Sequence, residues 1–485
     1  MATFLLEGEW LTLIDLPDDP DVWRGIQYGD TMGLFQIESP AQTRITVDVQ
    51  PCSFLDLAHQ VALIRPGPIQ SGTVHPYVRR RKGLEPVSYL HPCLEPILKK
   101  SYGVLLFQED VMRIAVQVAG FSWNDAERFR KTVGSYEEDD EVADERQRFV
   151  MGAQHKSGLD GEMATRIFDL CSSFRGYGFA ESHAWAFGTH AYTSAWLRHH
   201  YPAEYFAALL TEDPGMWPRS TLMQEARRRG VGFSRVHINL SGLHYQVGRN
   251  EDGGKSIRVP LTSILAVSEK VARQIVLERL SRGPYTDIRD LYERLAIDRD
   301  TLEALARAGA FDSLQERRDA LYQIGALIHI QPPAVQPLLS ALPETPPLPE
   351  LTVREKVAWD YRLKGLNEWG VHPVDLIRQQ LLSLGATPMV RLPHHGHVTT
   401  AGIVIARQRP PTAKGFAFYV IEDGPLRLQV VISPDLWERE RDLLREARVL
   451  IVSGRLEKRR KAWTIRADQL VDAQGDAATS GTEVA

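Results

Sequence analysis

Between Phe174 and Leu210 the chain reads FRGYGFAESHAWAFGTHAYTSAWLRHHYPAEYFAALL. Ala184, Gly188, Ala191 and Ala195 recur at helical spacing, so a helix here carries one face of small residues. Trp185, Thr189, Tyr192 and Trp196 keep the same period and make a neighbouring, mostly aromatic face. Ser182 is the expected N-cap of this helix. Pro202 ends it and suits the first turn of the next helix, whose apolar residues are Tyr205, Phe206, Leu209 and Leu210. Periodicity by itself gives a buried helical hairpin. Before it stands Gly176-Tyr177-Gly178-Phe179, where two glycines around an aromatic let the backbone turn sharply or approach a ligand closely.

The literal string says more than its period. GYGF-x-x-SHA, then Y-x-x-AWL, then HYPAEY-x-AALL closely resembles the fingers domain of the bacterial C-family DNA polymerases, the DNA polymerase III alpha family. The resemblance implies that Gly176, Tyr177, Gly178, Phe179, Ser182 and His183 lie on the nucleotide side of the fingers. It gives His183 a positioning role, because phosphoryl transfer in that family runs on metal ions and not on histidine.

Three further motifs carry the resemblance. Gly33-Leu34-Phe35-Gln36-Ile37-Glu38-Ser39 is similar to a G-x-F-Q-x-E-S motif found where the family's palm passes into its fingers. In Arg65-Pro66-Gly67-Pro68, prolines and a glycine hold an arginine in a defined turn, and arginine grips phosphate with two donors at once. The resemblance places Arg65 and Gly67 near the incoming nucleotide. Tyr102 to Met112 resembles G-x-x-x-(Y/F)-Q-E-x-x-M; Gln108 and Glu109 either hydrogen-bond across the site or order the loop. Arg128, Arg130 and Lys131 lie where the family has a basic helix. Three cations on about one turn are expensive unless solvated or opposite an anion such as triphosphate. Arg79, Arg80, Arg81 and Lys82, with Lys99 and Lys100, make the same region locally basic and are candidates for DNA backbone contact.

The whole chain is not basic: 62 acids against 57 bases give a net charge of −5, so any DNA contact must be a local patch. Its 485 residues allow two to four domains with ample core. Cys52, Cys93 and Cys171 have no metal-ligand spacing and no disulfide framework, which fits a reducing cytoplasm. No apolar run reaches the ~20 residues needed to span a bilayer, and MATFLLEGEW does not read as a signal peptide. Asp19 and Asp21 form a D-x-D pair, but beside Pro17 and Pro20 it reads as a polar turn rather than a metal site. The acid-rich stretch Gly134 to Glu145 reads as a solvated surface loop.

The expected architecture is multidomain α+β. Residues 1–50 lead from palm to fingers, 51–215 are mostly α-helical fingers, and 216–325 hold a connector and a tandem helix-hairpin-helix. Residues 326–387 are a proline-rich linker with a helical piece, 388–472 a five-stranded OB-fold barrel, and 473–485 a disordered tail. In the connector, Leu222 to Arg229 is the expected helix, closed by Gly230, and Val231 to Val247 alternates like a short strand or two. The first hairpin turn, Ser263 to Glu269, lacks the glycines whose amides grip duplex backbone in the family, which weakens the expected DNA grip there. The barrel strands are expected at 398–406, 416–422, 426–432, 449–456 and 462–467, with a helix at 434–446. Arg407, Arg409, Lys414, Arg455, Arg459 and Arg460 interleave there with Phe416, Phe418 and Trp463, the mix of cations and stacking rings that single-stranded nucleic acid needs.

Two-metal nucleotidyl transfer needs carboxylates, which the family draws from a palm P-D-x-D-x-D-F string, and no such string occurs here. The expectation is therefore a C-terminal part of such a polymerase, without the PHP domain and palm, that binds dNTP and template-primer DNA in replication or repair and is inactive alone. Catalytic residues and metal ligands are expected to be absent, and the Mg2+ of the family reaction to be held elsewhere. A separately encoded palm half, a sliding clamp or repair accessory proteins are the expected protein partners, in the cytoplasm and without a membrane. Glu181, where replicative members carry lysine, and the short stretch after the barrel lean toward the error-prone branch. The alternative is a stand-alone, non-catalytic DNA-binding accessory protein in repair.

Overall fold

The computed structural model describes residues 2–4, 10–12, 16–64, 74–134, 139–172, 179–250, 252–330 and 345–473. A two-stranded hairpin, β1 (Ala2–Phe4) with β2 (Trp10–Thr12), precedes α1 (Pro20–Gln27), α2 (Pro40–Val49), α3 (Phe54–Leu63) and α4 (Val74–Arg81). A second group of helices follows: α5 (Gln108–Ala119), α6 (Trp123–Gly134), α7 (Asp139–Ser157) and α8 (Gly161–Ser172). The long α9 (Glu181–His200) and α10 (Pro202–Glu212) close the helical region.

The small-residue face of α9 does structural work. Ala184, Ala191 and Ala195 are buried, and the helix lies directly on α3. A Cβ at Gly188 would sit 2.9 Å from the Ala58 nitrogen and 3.2 Å from the Phe54 oxygen, backbone atoms that have no room to retreat. The expected aromatic face divides: Tyr192 and Trp196 are buried, whereas Trp185 is 39% exposed. Tyr192 fixes the helix against the start of the chain, donating its hydroxyl to Pro17 O at 3.0 Å and accepting from Asp19 N–H at 2.7 Å.

Two expectations are corrected. The helix begins at Glu181 with Ala180 as N-cap, so Ser182 lies in its first turn and does not cap it. The acid-rich stretch is not all loop, because Asp139 to Glu145 are the first turns of α7, where acids suit the helix N-terminus. Residues 135–138 lie outside the described residues.

Next, α11 (Arg219–Arg227) starts three residues earlier than its apolar pattern implies and leads to a three-stranded sheet. In it, β3 (Gly232–Ser234) runs parallel to β5 (Lys255–Arg258), which pairs antiparallel with β4 (Gln246–Arg249). The helical hairpins are α12 (Glu269–Arg282), α13 (Ile288–Leu295), α14 (Arg299–Arg307) and α15 (Arg317–Ile330). They share one core with α10, α11 and the small sheet. Of the proline-rich linker, 331–344 lie outside the described residues; α16 (Val353–Lys364) then begins with a capping box from Thr352 and Glu355.

The last domain is a closed barrel of β6 (His395–Gln408), β7 (Ala417–Asp423), β8 (Leu426–Ile432), β9 (Val449–Arg459) and β10 (Ala462–Asp472), in the order β10-β8-β7-β6-β9. The alternation predicted all five, and closure joins β10 to β8 in parallel. Two short helices, Pro434–Arg439 and Arg441–Glu446, cover the sequence expected to hold one. No helix among the described residues is long and apolar enough to cross a membrane.

Candidate functional site

The nucleotide-side motifs meet at the N-terminus of α9. Gln108 N–H donates to Phe179 O at 3.0 Å, and Glu181 N–H donates to a Glu109 carboxylate oxygen at 2.8 Å. Glu109 thus supplies an acid at a helix N-terminus that has no side-chain cap of its own. Both contacts fasten the chain where it enters α9, Gln108 through its backbone N–H and Glu109 through its carboxylate. Residues 65–73 and 173–178, with Arg65, Gly67, Gly176, Tyr177 and Gly178, lie outside the described residues.

Glu181 also faces a charged cluster. Its carboxylate takes Lys100 at 2.5 Å and Arg113 at 2.9 Å, while the buried Asp110 takes Arg113 at 3.0 Å and Lys100 at 3.4 Å. Burial alone would raise the Glu181 pKa, but the two cations outweigh it and hold the group below its ordinary value. Lys100 is therefore committed inside the protein, whereas Lys99 is exposed.

His183 and Ser182 are exposed. The His183 ring packs on Phe187 at 4.0 Å and on Phe179 at 5.2 Å between centroids. Phe35 joins from the G-x-F-Q-x-E-S motif, 5.2 Å from Phe187 and 5.8 Å from His190. Its N–H is held by Ser194 Oγ at 3.2 Å. The outcome is an aromatic ridge along α9 made by positions 183, 187 and 190, with Phe35 beside it. Sequence reasoning missed Phe187 and His190, although with His183 their i, i+4, i+7 spacing was available, and it gave Phe35 no place beside them.

The basic helix α6 carries its own counter-ions. Glu127 holds Arg130 through two hydrogen bonds, at 2.7 and 2.8 Å, and lies 3.4 Å from Lys131; Arg128 pairs with Asp125 at 2.7 Å. Arg128 and Lys131 remain largely exposed. On α4, Arg80 is spent on Glu85, Ser88 and Tyr102 O, and Arg81 on Asp56, Val49 O and Gln50 O. Lys82 pairs with Asp48 at 3.0 Å, and Arg79 stays mostly in solvent.

In the barrel, Arg407 donates to Leu444 O and Ala447 O and lies over Tyr419, so its guanidinium serves the fold. Arg409 lies over Trp437, 4.8 Å from the ring centroid. The β9–β10 turn docks on the first helices: Arg460 donates to Gln27 O at 2.6 Å, Arg459 lies 3.5 Å from Asp48, and Lys461 lies 2.8 Å from Asp30. Trp463 donates to Arg460 O and carries Lys458 over its ring at 3.7 Å. The outer face of β7 and β8 is also engaged, with Glu422 accepting from Thr221 at 3.2 Å and Arg427 pairing with Glu225 at 2.7 Å. Lys414 and Arg455 are exposed, and Phe416 and Phe418 are half-buried.

Between the docked barrel and the first helices lies a cleft of about 280 Å³, lined among others by Tyr28, Glu38, Trp217, Arg228, Gln429 and Trp463. Glu38 accepts from Gly33 N–H and Trp217 Nε1–H, both at 2.9 Å, yet burial pushes its pKa up to about 7. A carboxyl whose folded pKa is raised contributes stability below its unfolded value, near 4.5, and that contribution disappears as pH rises through about 7. Raising the pH from 5 to 8 is expected to remove on the order of 2–3 kcal/mol of unfolding free energy that Glu38→Gln retains. Parallel urea titrations of the two proteins across that range measure the difference.

The comparisons follow the same division of the chain. Residues 7–157 match the family model for the bacterial DNA polymerase III alpha subunit finger domain, 230–321 a helix-hairpin-helix motif, and 398–473 an OB-fold nucleic acid binding domain. The error-prone DNA polymerase of Corynebacterium efficiens is 40% identical over 458 residues, covering 93% of this chain and 42% of that protein. Those of Nocardia farcinica and Mycobacterium tuberculosis are 37% and 36% identical over 465 residues, covering 93% and 95% of this chain. Over 93–95% of its length the chain is similar to error-prone DNA polymerases of the bacterial C family. It spans about two-fifths of the length of these relatives. The finger match covers α1 to α7 and so includes the segment read as leading from the palm.

The metal of nucleotidyl transfer calls for hard carboxylate oxygens in near-octahedral array. Among the described residues the grouping of possible ligands is Asp19, His199 and His200, two imidazoles with one carboxylate. That donor set does not fit Mg2+.

Proposed function

We propose that this chain supplies the fingers, helix-hairpin-helix and OB-fold of a DNA polymerase of the error-prone kind, binding incoming dNTP and template-primer DNA for replication or repair synthesis. The observation that carries the reading is the convergence at α9: Phe179 and Glu181 held by Gln108 and Glu109, with His183 exposed in the first turn. Arg65, Arg128, Arg130 and Lys131 orient the triphosphate, and the GYGF segment with His183 positions the nucleotide. The exposed Arg79, Lys414 and Arg455, with the half-buried rings of Phe416 and Phe418, are the members of the DNA-facing set that meet single strand. Arg80, Arg81, Arg407, Arg459 and Arg460 hold the protein together instead.

The 485 residues taken alone make no DNA, because they contain no P-D-x-D-x-D-F string. A palm, with the Mg2+ that its carboxylates hold, comes from elsewhere. Fluorescence anisotropy with a labelled single-stranded oligonucleotide tests the binding half of the reading. Lys414→Ala with Arg455→Ala is expected to weaken binding roughly tenfold and to lower the salt dependence by about one counter-ion per cation removed. Primer extension tests the other half: metal-dependent incorporation by the purified chain would overturn it.

A further inference from the structure

Asp19, His199 and His200 belong to no part of the nucleotide-side arrangement, yet the fold brings them together from positions 181 residues apart. One donor atom from each lies within 4.8 Å of the other two. Asp19 is held in place from both sides. One carboxylate oxygen caps α1, accepting from Asp21 N–H at 2.8 Å, and its own N–H donates to Tyr192 Oη at 2.7 Å. The other oxygen lies 2.8 Å from His200 Nε2. The His200 ring rests on Trp196, 4.3 Å between centroids, and the His199 ring stands 4.8 Å from it. Both histidines occupy the last turn of α9, where the free carbonyls of the helix end favour a cation. The D-x-D pair is thus a capping turn, and its first aspartate finds its ligand-type partners on α9 rather than in Asp21.

We propose that Asp19, His199 and His200 form a binding site for a divalent transition-metal ion of the zinc class. Two imidazoles with one carboxylate suit Zn2+, Co2+ or Ni2+ and not Mg2+ or Ca2+, which take oxygen donors. Bond lengths of about 2.0–2.2 Å put tetrahedral ligand atoms roughly 3.3 Å apart. The two exposed histidines therefore turn inward by about an ångström to close on the ion. The ion takes the place of the hydrogen bond between His200 and Asp19, and a fourth position stays open to water. Bound there, it ties the start of α1 to the end of α9 and closes the helical region as a cross-link does.

The test uses the full chain after chelator treatment, titrated with Co2+ followed by visible absorption and with Zn2+ followed by calorimetry. One equivalent is expected to bind with micromolar affinity, to give the absorption of a nitrogen- and oxygen-ligated Co2+, and to raise the melting temperature. Asp19→Asn keeps an N-capping oxygen but removes the anionic ligand, and His199→Ala removes an exposed imidazole. Each is expected to lower the affinity at least tenfold and to abolish the thermal shift while leaving the metal-free melting temperature nearly unchanged. Absence of one-to-one binding, undiminished binding by Asp19→Asn, or a thiolate charge-transfer band placing the ion at a cysteine would each overturn the proposal.

Discussion

Asp30→Asn is expected to lower the unfolding free energy by about 3–5 kcal/mol, because one carboxylate neutralises three cations drawn from three parts of the chain. Asp30 meets Arg229 at 2.7 Å, Lys461 at 2.8 Å and Arg198 at 3.7 Å. Burial works against the charged carboxyl, but Arg198, Arg229 and Lys461 outweigh it and hold the group far below the ordinary carboxylate range. The Arg198 side chain is almost wholly buried and Lys461 largely so, which leaves both without an acidic partner in the variant, while Arg229 keeps Glu225. A group with a depressed folded pKa contributes stability above its unfolded value, near 3.8, and loses it as pH falls below that. The gap between wild type and Asp30→Asn should accordingly be full at pH 7 and shrink toward pH 3. Denaturant titrations at both pH values read the energy. Limited proteolysis reads the second consequence, faster cutting between the helical region and a barrel whose β9–β10 turn has lost Lys461 as an anchor.

That result bears on how the barrel works. Nucleic acids usually lie across the second and third strands and the neighbouring loops of an OB-fold. Here β7 and β8 give Glu422 and Arg427 to Thr221 and Glu225, and the β9–β10 turn gives Arg459, Arg460 and Lys461 to the first helices. Cations that look like a nucleic-acid patch in sequence are, in this arrangement, the fastening between domains. The reason is physical: a sequence shows that a charge exists, whereas its partner depends on packing between residues hundreds of positions apart.

The parts of the fold that were legible are those with a local period. Five apolar alternations marked the five barrel strands, and the alanine and glycine stripe marked the face that α9 presents to α3. Cap positions were less legible. Ser182 has the right chemistry for an N-cap, but with Gln108 N–H bonded to Phe179 O and Glu181 N–H bonded to the Glu109 carboxylate, the helix starts two residues earlier than such a cap implies. The site followed the same rule. The motif residues Gln108, Glu109, Phe179 and His183 do gather, while the addition of Phe35 to the ridge and the trio Asp19, His199 and His200 arise only when distant segments pack.

Another such ensemble lies under the helix-hairpin-helix region, and Arg317→Met is expected to cost about 3–5 kcal/mol there. Arg317 is buried and reaches Asp360 at 2.9 Å, Asp312 at 3.2 Å and Arg307 O at 2.8 Å. Asp360 also lies 3.2 Å from Lys364, which in turn is 2.8 Å from the buried Glu368. Gly309 at φ +81° makes room for the guanidinium, which a Cβ there would strike. With Arg317 gone, Asp360 and Glu368 are left to share Lys364, so the loss is an unpaired buried carboxylate rather than one hydrogen bond. Burial raises the Asp360 pKa even in the intact cluster. A raised folded pKa gives stability that is present below the unfolded value and lost as pH rises, so the Arg317→Met deficit should be smaller at pH 5 than at pH 8. Adding Asp360→Leu removes the stranded charge and should recover most of the loss. A double-mutant cycle by denaturant unfolding at the two pH values separates this from simple loss of packing, which would leave the double variant no better than the single and the deficit independent of pH.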